Sequence, residues 1–251
     1  MRAWLAELWL REDPAAFIRM FCASSGGDVT DAEGMMVINL ITRFAQRDPR
    51  SALKIGPTLQ PPSAGRWIMA QAIISTMESD TAEGLALAAK HPGLRLNGNM
   101  DLDRIKITSA DIPLLLSLPR AMMVDSLLAK ATNDLPVAEA MGMTSRMPFV
   151  TGRSVARAVA RRWVNKDPAA ALDFATGGAT DVQRVIILET LGEKKIEADP
   201  ADAAAWAEET LKGQTRNRIL EKAAQKLEKT DPAAAGAIRA RLPQNYSPKS
   251  K

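Results

Sequence analysis

A single histidine, His91, and a single cysteine, Cys22, stand in 251 residues. One cysteine excludes an intramolecular disulfide and any cysteine-based metal cage. One histidine removes most metal sites and general-base schemes together. Aromatic residues make up only 4% of the chain, too few for the ring platforms on which single-stranded nucleic acid stacks. No apolar run approaches the ~18 residues of a membrane span; the most apolar stretch, Ile112 to Leu118, is short and bounded by proline. Nucleotide loops, zinc-ligand spacings, zincin helices and nucleophile elbows are missing, and Leu96-Asn-Gly98-Asn is too short to cradle a phosphate. The sequence therefore leads us to expect neither catalysis nor a metal or cofactor.

What the chain does have is alanine and regular punctuation. Hydrophobic residues make up 46%, enough for a packed core. The abundance of alanine over aromatic residues favours close-packed helices over strands. A net charge of +4 and a pI near 9.3 are mildly basic, compatible with acidic partners but weaker than a dedicated nucleic-acid arm.

The punctuation is Asp-Pro, at Asp13-Pro14, Asp48-Pro49, Asp167-Pro168, Asp199-Pro200 and Asp231-Pro232. Aspartate caps a helix because its carboxylate accepts from the free N–H groups of the first turn. Proline fits the next position, where its fixed φ suits a helix and its missing N–H costs nothing. Weaker starts lie at Asp80-Thr81, Ser109 and Asp134. From Asp13 the starts step by 35, 32, 29, 25, 33, 32 and 32 residues, a period that marks a helical repeat. Four residues before the aspartate stand Trp9, Phe44, Trp163 and Leu227; four after it stand Phe17, Ala52, Ala138, Ala171, Ala203 and Ala235. A large residue closing one helix and a small one opening the next suits packing around a tight corner, so these aspartates are read as caps and not as acids or bases.

Asp199-Pro200-Ala-Asp-Ala203-Ala-Ala-Trp206 resembles the start of a tetratricopeptide repeat. The units from Asp167 to Leu242 carry the resemblance best. The Gly and Tyr that the family places later in the first helix are absent, and the turns here are Gly177-Gly178 and Gly213-Gln214. The chain thus resembles a divergent αα-repeat, tetratricopeptide-like or HEAT-like. That resemblance implies an interaction surface and carries over no catalytic residue.

The expected fold is all-α, a right-handed αα-superhelix of about seven helix pairs. Residues 1–242 are expected to form one elongated domain, followed by a disordered tail at 243–251. The leading helix, 2–11, with Trp4, Leu5, Leu8 and Trp9 on one face, reads as the second member of a pair and as amphipathic, not as a cleavable leader. Capping boxes are expected at Thr30–Glu33, Asp80–Glu83 and Thr180–Gln183. A helix is expected at Asp134–Met143, and after a loop at 144–151 another at 152–165 with Val155, Val159 and Trp163 inward. Helix 181–196 is apolar nearly all round and is expected to be covered on both sides. Between His91 and Thr108 the helical period fails, and a long loop is expected to be inserted there.

Two features bear on binding. The twelve methionines, among them Met35-Met36, Met122-Met123, Met141, Met143 and Met147, are read as core filling rather than as an adaptable surface. Arg153, Arg157 and Arg161 lie at i, i+4 and i+8 on one helix face, opposite Val155, Val159 and Trp163, with Arg162 beside them. No acid at spacing three or four offsets this stripe. A solvated face accounts for it most simply; as a binding face it would take an acidic protein or peptide. The functional expectation is a non-catalytic protein-interaction scaffold. The alternative is a nucleic-acid-binding HEAT-like repeat protein using the same basic face. The sequence leaves compartment open.

Overall fold

The computed structural model describes residues 3–24, 32–60, 62–94, 96, 101–118, 122–243 and 246, with the side chains of 3, 4, 22–24, 32–37, 122 and 123 excepted. The Thr30–Glu33 box, the side chains of Trp4, Cys22, Met35, Met36, Met122 and Met123, and most of the tail lie outside this set. All regular structure among the described residues is helical, and the chain divides into two compact units, residues 1–131 and 132–251.

The first unit holds α1 (Ala3–Glu12), α2 (Pro14–Ser24), α3 (Ala32–Arg47), α4 (Pro49–Ile55), α5 (Pro62–Ser79), α6 (Thr81–Lys90), α7 (Ile112–Ser117) and α8 (Met122–Ala131), with single 3-10 turns at Gly56–Thr58 and Ser109–Asp111. The second holds α9 (Val137–Thr144), α10 (Phe149–Lys166), α11 (Pro168–Gly177), α12 (Asp181–Ala198), α13 (Pro200–Thr210), α14 (Gly213–Leu227) and α15 (Pro232–Arg239).

Each junction aspartate makes three bonds. At Asp167 the N–H donates to the Trp163 carbonyl at 2.7 Å and closes α10. Its side chain accepts from the Ala170 N–H at 3.0 Å, and its carbonyl accepts from the Ala171 N–H at 3.1 Å, opening α11. Asp13, Asp48, Asp80, Asp199 and Asp231 repeat the pattern. At Asp48 the hydrogen bonds from Ser51, with Lys54 and Arg50 nearby, hold the carboxyl below its ordinary pKa. The fourth residue after the cap is buried where the new helix turns back over the old one. Ala52, Ala171, Ala203 and Ala235 fill that position with at most 1% exposure. At Asp80 it is Gly84, where an added Cβ would lie 2.5 Å from the Met77 backbone nitrogen.

Contacts recur at the interval set by the caps. Trp163 meets Phe174 with ring centroids 5.0 Å apart, and Lys195 sits 5.7 Å over the Trp206 ring. The second pair stands 32 residues beyond the first at both positions. Packing follows the same alternation. In the second unit α10 lies against α12 and α12 against α14, while α9, α11 and α13 each pair with the helix that follows them. In the first unit α1 lies against α3 and α3 against α5 in the same way.

The structure corrects several expectations. Asp134 does not start a helix: Pro136 disfavours helical backbone at Leu135 and itself occupies the cap position, so α9 begins at Val137. The rule of a small residue four beyond the cap survives, with Ala140 fully buried in place of Ala138. Pro148 caps α10 in the same way, so that helix starts at Phe149, three residues earlier than the pattern indicates. The second inter-helix turn starts earlier than expected, with Leu211-Lys212 in extended backbone, and Gly213 at the head of α14 has a φ of +60°, a left-handed conformation that favours glycine. On α1 the buried residues are Ala6 and Leu10, which face α2 and α3, whereas Leu5, Leu8 and Trp9 are exposed. On α12, which is flanked by α10 and α14 as expected, Val182 and Val185 nevertheless stay exposed.

Between α6 and the 3-10 turn at Ser109 no helix forms among the described residues, yet the segment is pinned. Leu96, Ile105 and Ile107 are buried. The Asp101 N–H donates to Glu78 at 3.1 Å and the Lys106 N–H to the Thr81 hydroxyl at 3.1 Å. Lys130 donates to the Leu102 carbonyl.

Two outcomes follow from this architecture. Asp167→Ala removes a cap and should cost about 1 kcal/mol, whereas Trp163→Ala empties core volume and should cost about 3–5 kcal/mol; urea midpoints compare them, and equal losses would mean that the junction is misread. Because Ile105 is 1% exposed, trypsin under native conditions should spare Arg104 and Lys106. Ile105→Ala should make them the first sites cut.

Candidate interaction face on the second unit

Three long helices, α10, α12 and α14, lie side by side in the second unit. Glu189 pairs with Arg218 and Glu193 with Lys222, each across 29 residues, so both helices advance together and α12 runs parallel to α14. The α10–α12 pair is parallel too. Gln183 at the start of α12 stands by the start of α10, and Lys194 near its end donates to the Val164 carbonyl at 2.9 Å. The inner sides of the three helices are apolar: Val155, Val159, Ile187, Leu191, Ile219 and Leu220 are at most 5% exposed. The outer side is where the arginine stripe lies.

The four arginines do not act as one group. Arg157 and Arg161 are exposed and line a depression of about 290 Å³ with Ile186, Glu189, Thr190, Glu193, Arg218 and Lys222. Arg153 is half-buried and lines a second depression, also about 290 Å³, one turn nearer the helix start, with Phe149, Val182 and Gln183 among its walls. Arg162 points elsewhere. Its guanidinium donates to the Thr132 carbonyl at 2.9 Å and to the Asn133 side chain, tying α10 to the turn that precedes α9. Its Nε is buried without a hydrogen-bond partner, and burial lowers its pKa, with Asp134 acting in the opposite sense. Arg162 is thus held as a strut and does not extend the exposed stripe.

The stripe is also less isolated than helix spacing alone implies. The compensating acids, Glu189 and Glu193, come from α12 and not from α10. Both are already engaged by α14. Arg184, Arg216, Arg218, Arg239 and Arg241 each hold a carboxylate within 4 Å or less. Arg157 and Arg161 form no ion pair among the described residues. The lining is therefore mixed in sign, with a positive excess at α10.

Gln183 was legible only as the second half of a capping box. It serves there, its Oε1 accepting from the Thr180 N–H at 3.0 Å, but it is also buried, 4% exposed, and its amide donates to the Met141 carbonyl at 2.7 Å and the Ser145 hydroxyl at 2.9 Å. Met141 and Met147 are buried and Met143 half-buried, in keeping with core filling. His91 caps the C-terminal end of α6 with its N–H on the Ala88 carbonyl at 3.2 Å. No cluster of three or more metal-ligating side chains occurs among the described residues, nor is any helix there long and apolar enough to cross a membrane.

No family model, curated protein or solved structure matches the chain, so its function is argued from its own residues.

The contrast between struts and free arginines is measurable. Arg162→Ala removes two charge-assisted bonds, one to the Asn133 side chain and one to the Thr132 carbonyl, which keeps the Leu135 N–H at 3.3 Å, and should cost about 1–3 kcal/mol. Arg157→Ala and Arg161→Ala should each stay within about 0.5 kcal/mol of the parent, as exposed charges do. Urea denaturation separates the two classes.

Proposed function

We propose that the chain is a non-catalytic protein-interaction scaffold, an αα-superhelix of tetratricopeptide-like or HEAT-like hairpins, whose binding face is the outer side of α10, α12 and α14. The observation that carries this reading is the pair Arg157 and Arg161: two exposed guanidiniums that, like Arg146 and Arg153, hold no carboxylate among the described residues, and that together line one depression, whereas Arg184, Arg216, Arg218, Arg239 and Arg241 each hold one. A cation left unpaired over a depression is free to meet an external anion. The recurring cap pattern and the Trp163–Phe174 and Lys195–Trp206 contacts support the repeat part of the reading.

The partner chemistry follows from the lining. Glu189 and Glu193 stand on the same floor and are engaged by Arg218 and Lys222, so the free positive charge there is confined to Arg157 and Arg161, a short patch matched by a segment carrying a few carboxylates. An acidic protein or peptide suits this face better than nucleic acid.

The test is a double charge reversal, Arg157→Glu with Arg161→Glu, in the full chain. Stability should be nearly unchanged. The immobilised parent, but not the variant, should retain a protein partner from nuclease-treated extract. Identical retention by both overturns the reading. So does a retained nucleic acid whose log K falls with log salt at a slope of about −3, the signature of three or four phosphate contacts.

A further inference from the structure

We propose that the depression between the first turns of α10 and α12 is an anchor pocket: it takes one bulky apolar side chain of an acidic partner segment, whose carboxylates then lie along Arg157 and Arg161. The proposal rests on the reading of α10, α12 and α14 as the binding face and names what that face selects.

The pocket has a mixed lining, with Met147, Phe149, Ala156 and Val182 as its apolar part and Thr144, Ser145, Arg153, Thr180 and Gln183 as its polar part. Phe149 is 65% exposed and Val182 40% exposed, and both stand at its mouth. Met147 and Ala156 are buried in its wall. Gly152 also lines it and is packed against the end of α9, where a Cβ would lie 2.4 Å from the Thr144 carbonyl oxygen, so the two helices meet there at backbone distance. The neighbouring polar atoms are already engaged. Gln183 donates to Met141 and Ser145, and the Thr144 hydroxyl donates to the Met141 carbonyl at 2.7 Å. What is unmet here is apolar contact. The volume, about 290 Å³, exceeds the ~150 Å³ cavity that holds a benzene ring. An exposed phenylalanine and valine beside an unfilled cavity are what a partner's side chain would cover.

Charge fixes the remainder of the partner. Arg153 lines the pocket and Arg157 and Arg161 continue from it along α10. At about 1.5 Å rise per residue, those two lie about 6 and about 12 Å beyond Arg153. An extended segment advances about 3.3 Å per residue, so carboxylates about two and about four residues from the anchor reach them. The recognised pattern is an aromatic or large aliphatic residue with acids at those two spacings.

The probe is a fluorescein-labelled 12-residue peptide of Gly and Ser carrying one Phe, with Glu two and four residues away on both sides. Fluorescence anisotropy on the full chain should show saturable binding. Phe→Ala in the peptide should weaken it at least tenfold, and so should Val182→Glu in the protein, which places a carboxylate at the mouth of the pocket on an exposed first-turn position. Phe149→Ser should act in the same direction, and the melting temperature of both variants should match the parent. An oligothymidylate of the same length should not compete. Absence of saturable binding overturns the proposal, as does indifference to both the Phe→Ala peptide and Val182→Glu, or displacement by oligothymidylate. If Arg157→Glu with Arg161→Glu abolishes binding while the anchor and Val182 do not matter, the pocket is excluded and the scaffold reading stands. If the anchor matters and the arginines do not, the pocket binds an apolar ligand and the acidic part of the proposal is overturned.

Discussion

Six helix-to-helix junctions among the described residues each depend on one residue making three bonds. The junction aspartate donates its N–H to the helix it ends, lends its carboxylate to the first turn of the helix it begins, and offers its own carbonyl to the residue four further on. A helix end otherwise leaves backbone groups without partners. Here one end supplies what the next beginning lacks, inside a single residue and with no loop between. Proline after the cap removes a donor that would have had no acceptor. The corner is therefore rigid, and its geometry repeats wherever the residue does.

A rigid corner forces close approach, and that selects the size of the side chains on either side. At five of the six junctions the fourth residue beyond the cap is small, alanine at 52, 171, 203 and 235 and glycine at 84, while at Asp13 it is the buried Phe17, set edge-on against Trp9. The residue four before the cap and the one seven after it meet across the corner. Their contact is preserved while its chemistry changes: Trp163 on Phe174 is ring against ring, and Lys195 over Trp206 is cation against ring. Geometry is held by the cap, so the pair can vary without loss of register.

The same division explains what was legible beforehand. Caps are local signals, written within four residues, and aspartate junctions fall at all five Asp-Pro pairs and at the weaker start Asp80-Thr81. The absence of a helix after α6 was legible too, because Pro92, Gly93 and the polar turn formers are local. Proline carried a second local message that was read too weakly: Pro136 and Pro148 are caps in their own right. What was not legible lies across neighbouring helices. Arg162 on Asn133, Arg218 on Glu189, Lys222 on Glu193 and Ser75 on the Gln46 carbonyl each span 29 residues. None is visible in the spacing of a single helix. All would appear if successive repeats were written beneath one another with a 29-residue offset, since that is the register in which alternate helices face each other. Phe149 and Val182 were not legible for another reason: the pattern placed Phe149 in the 144–151 loop and expected helix 181–196 to be covered on both sides, whereas both side chains are exposed at helix starts.

That offset also accounts for the free arginines. Twenty-nine residues beyond Glu189 and Glu193 stand Arg218 and Lys222, and both pairs form. Twenty-nine beyond Arg157 and Arg161 stand Ile186 and Thr190, and both line the depression beneath the arginines. The register that would pair α10 with α12 is thus present, and neutral residues occupy the positions where acids would complete it. Exposed ion pairs add little to stability, so completing them would gain the fold almost nothing, and omitting them costs almost nothing. The same omission alters the surface considerably. The two cations keep their full capacity for an external carboxylate, over a floor whose own acids are already engaged by the next helix. A stripe that folding neither needs nor neutralises, beginning at the depression beside Phe149 and Val182, is the feature on which the proposed binding face rests.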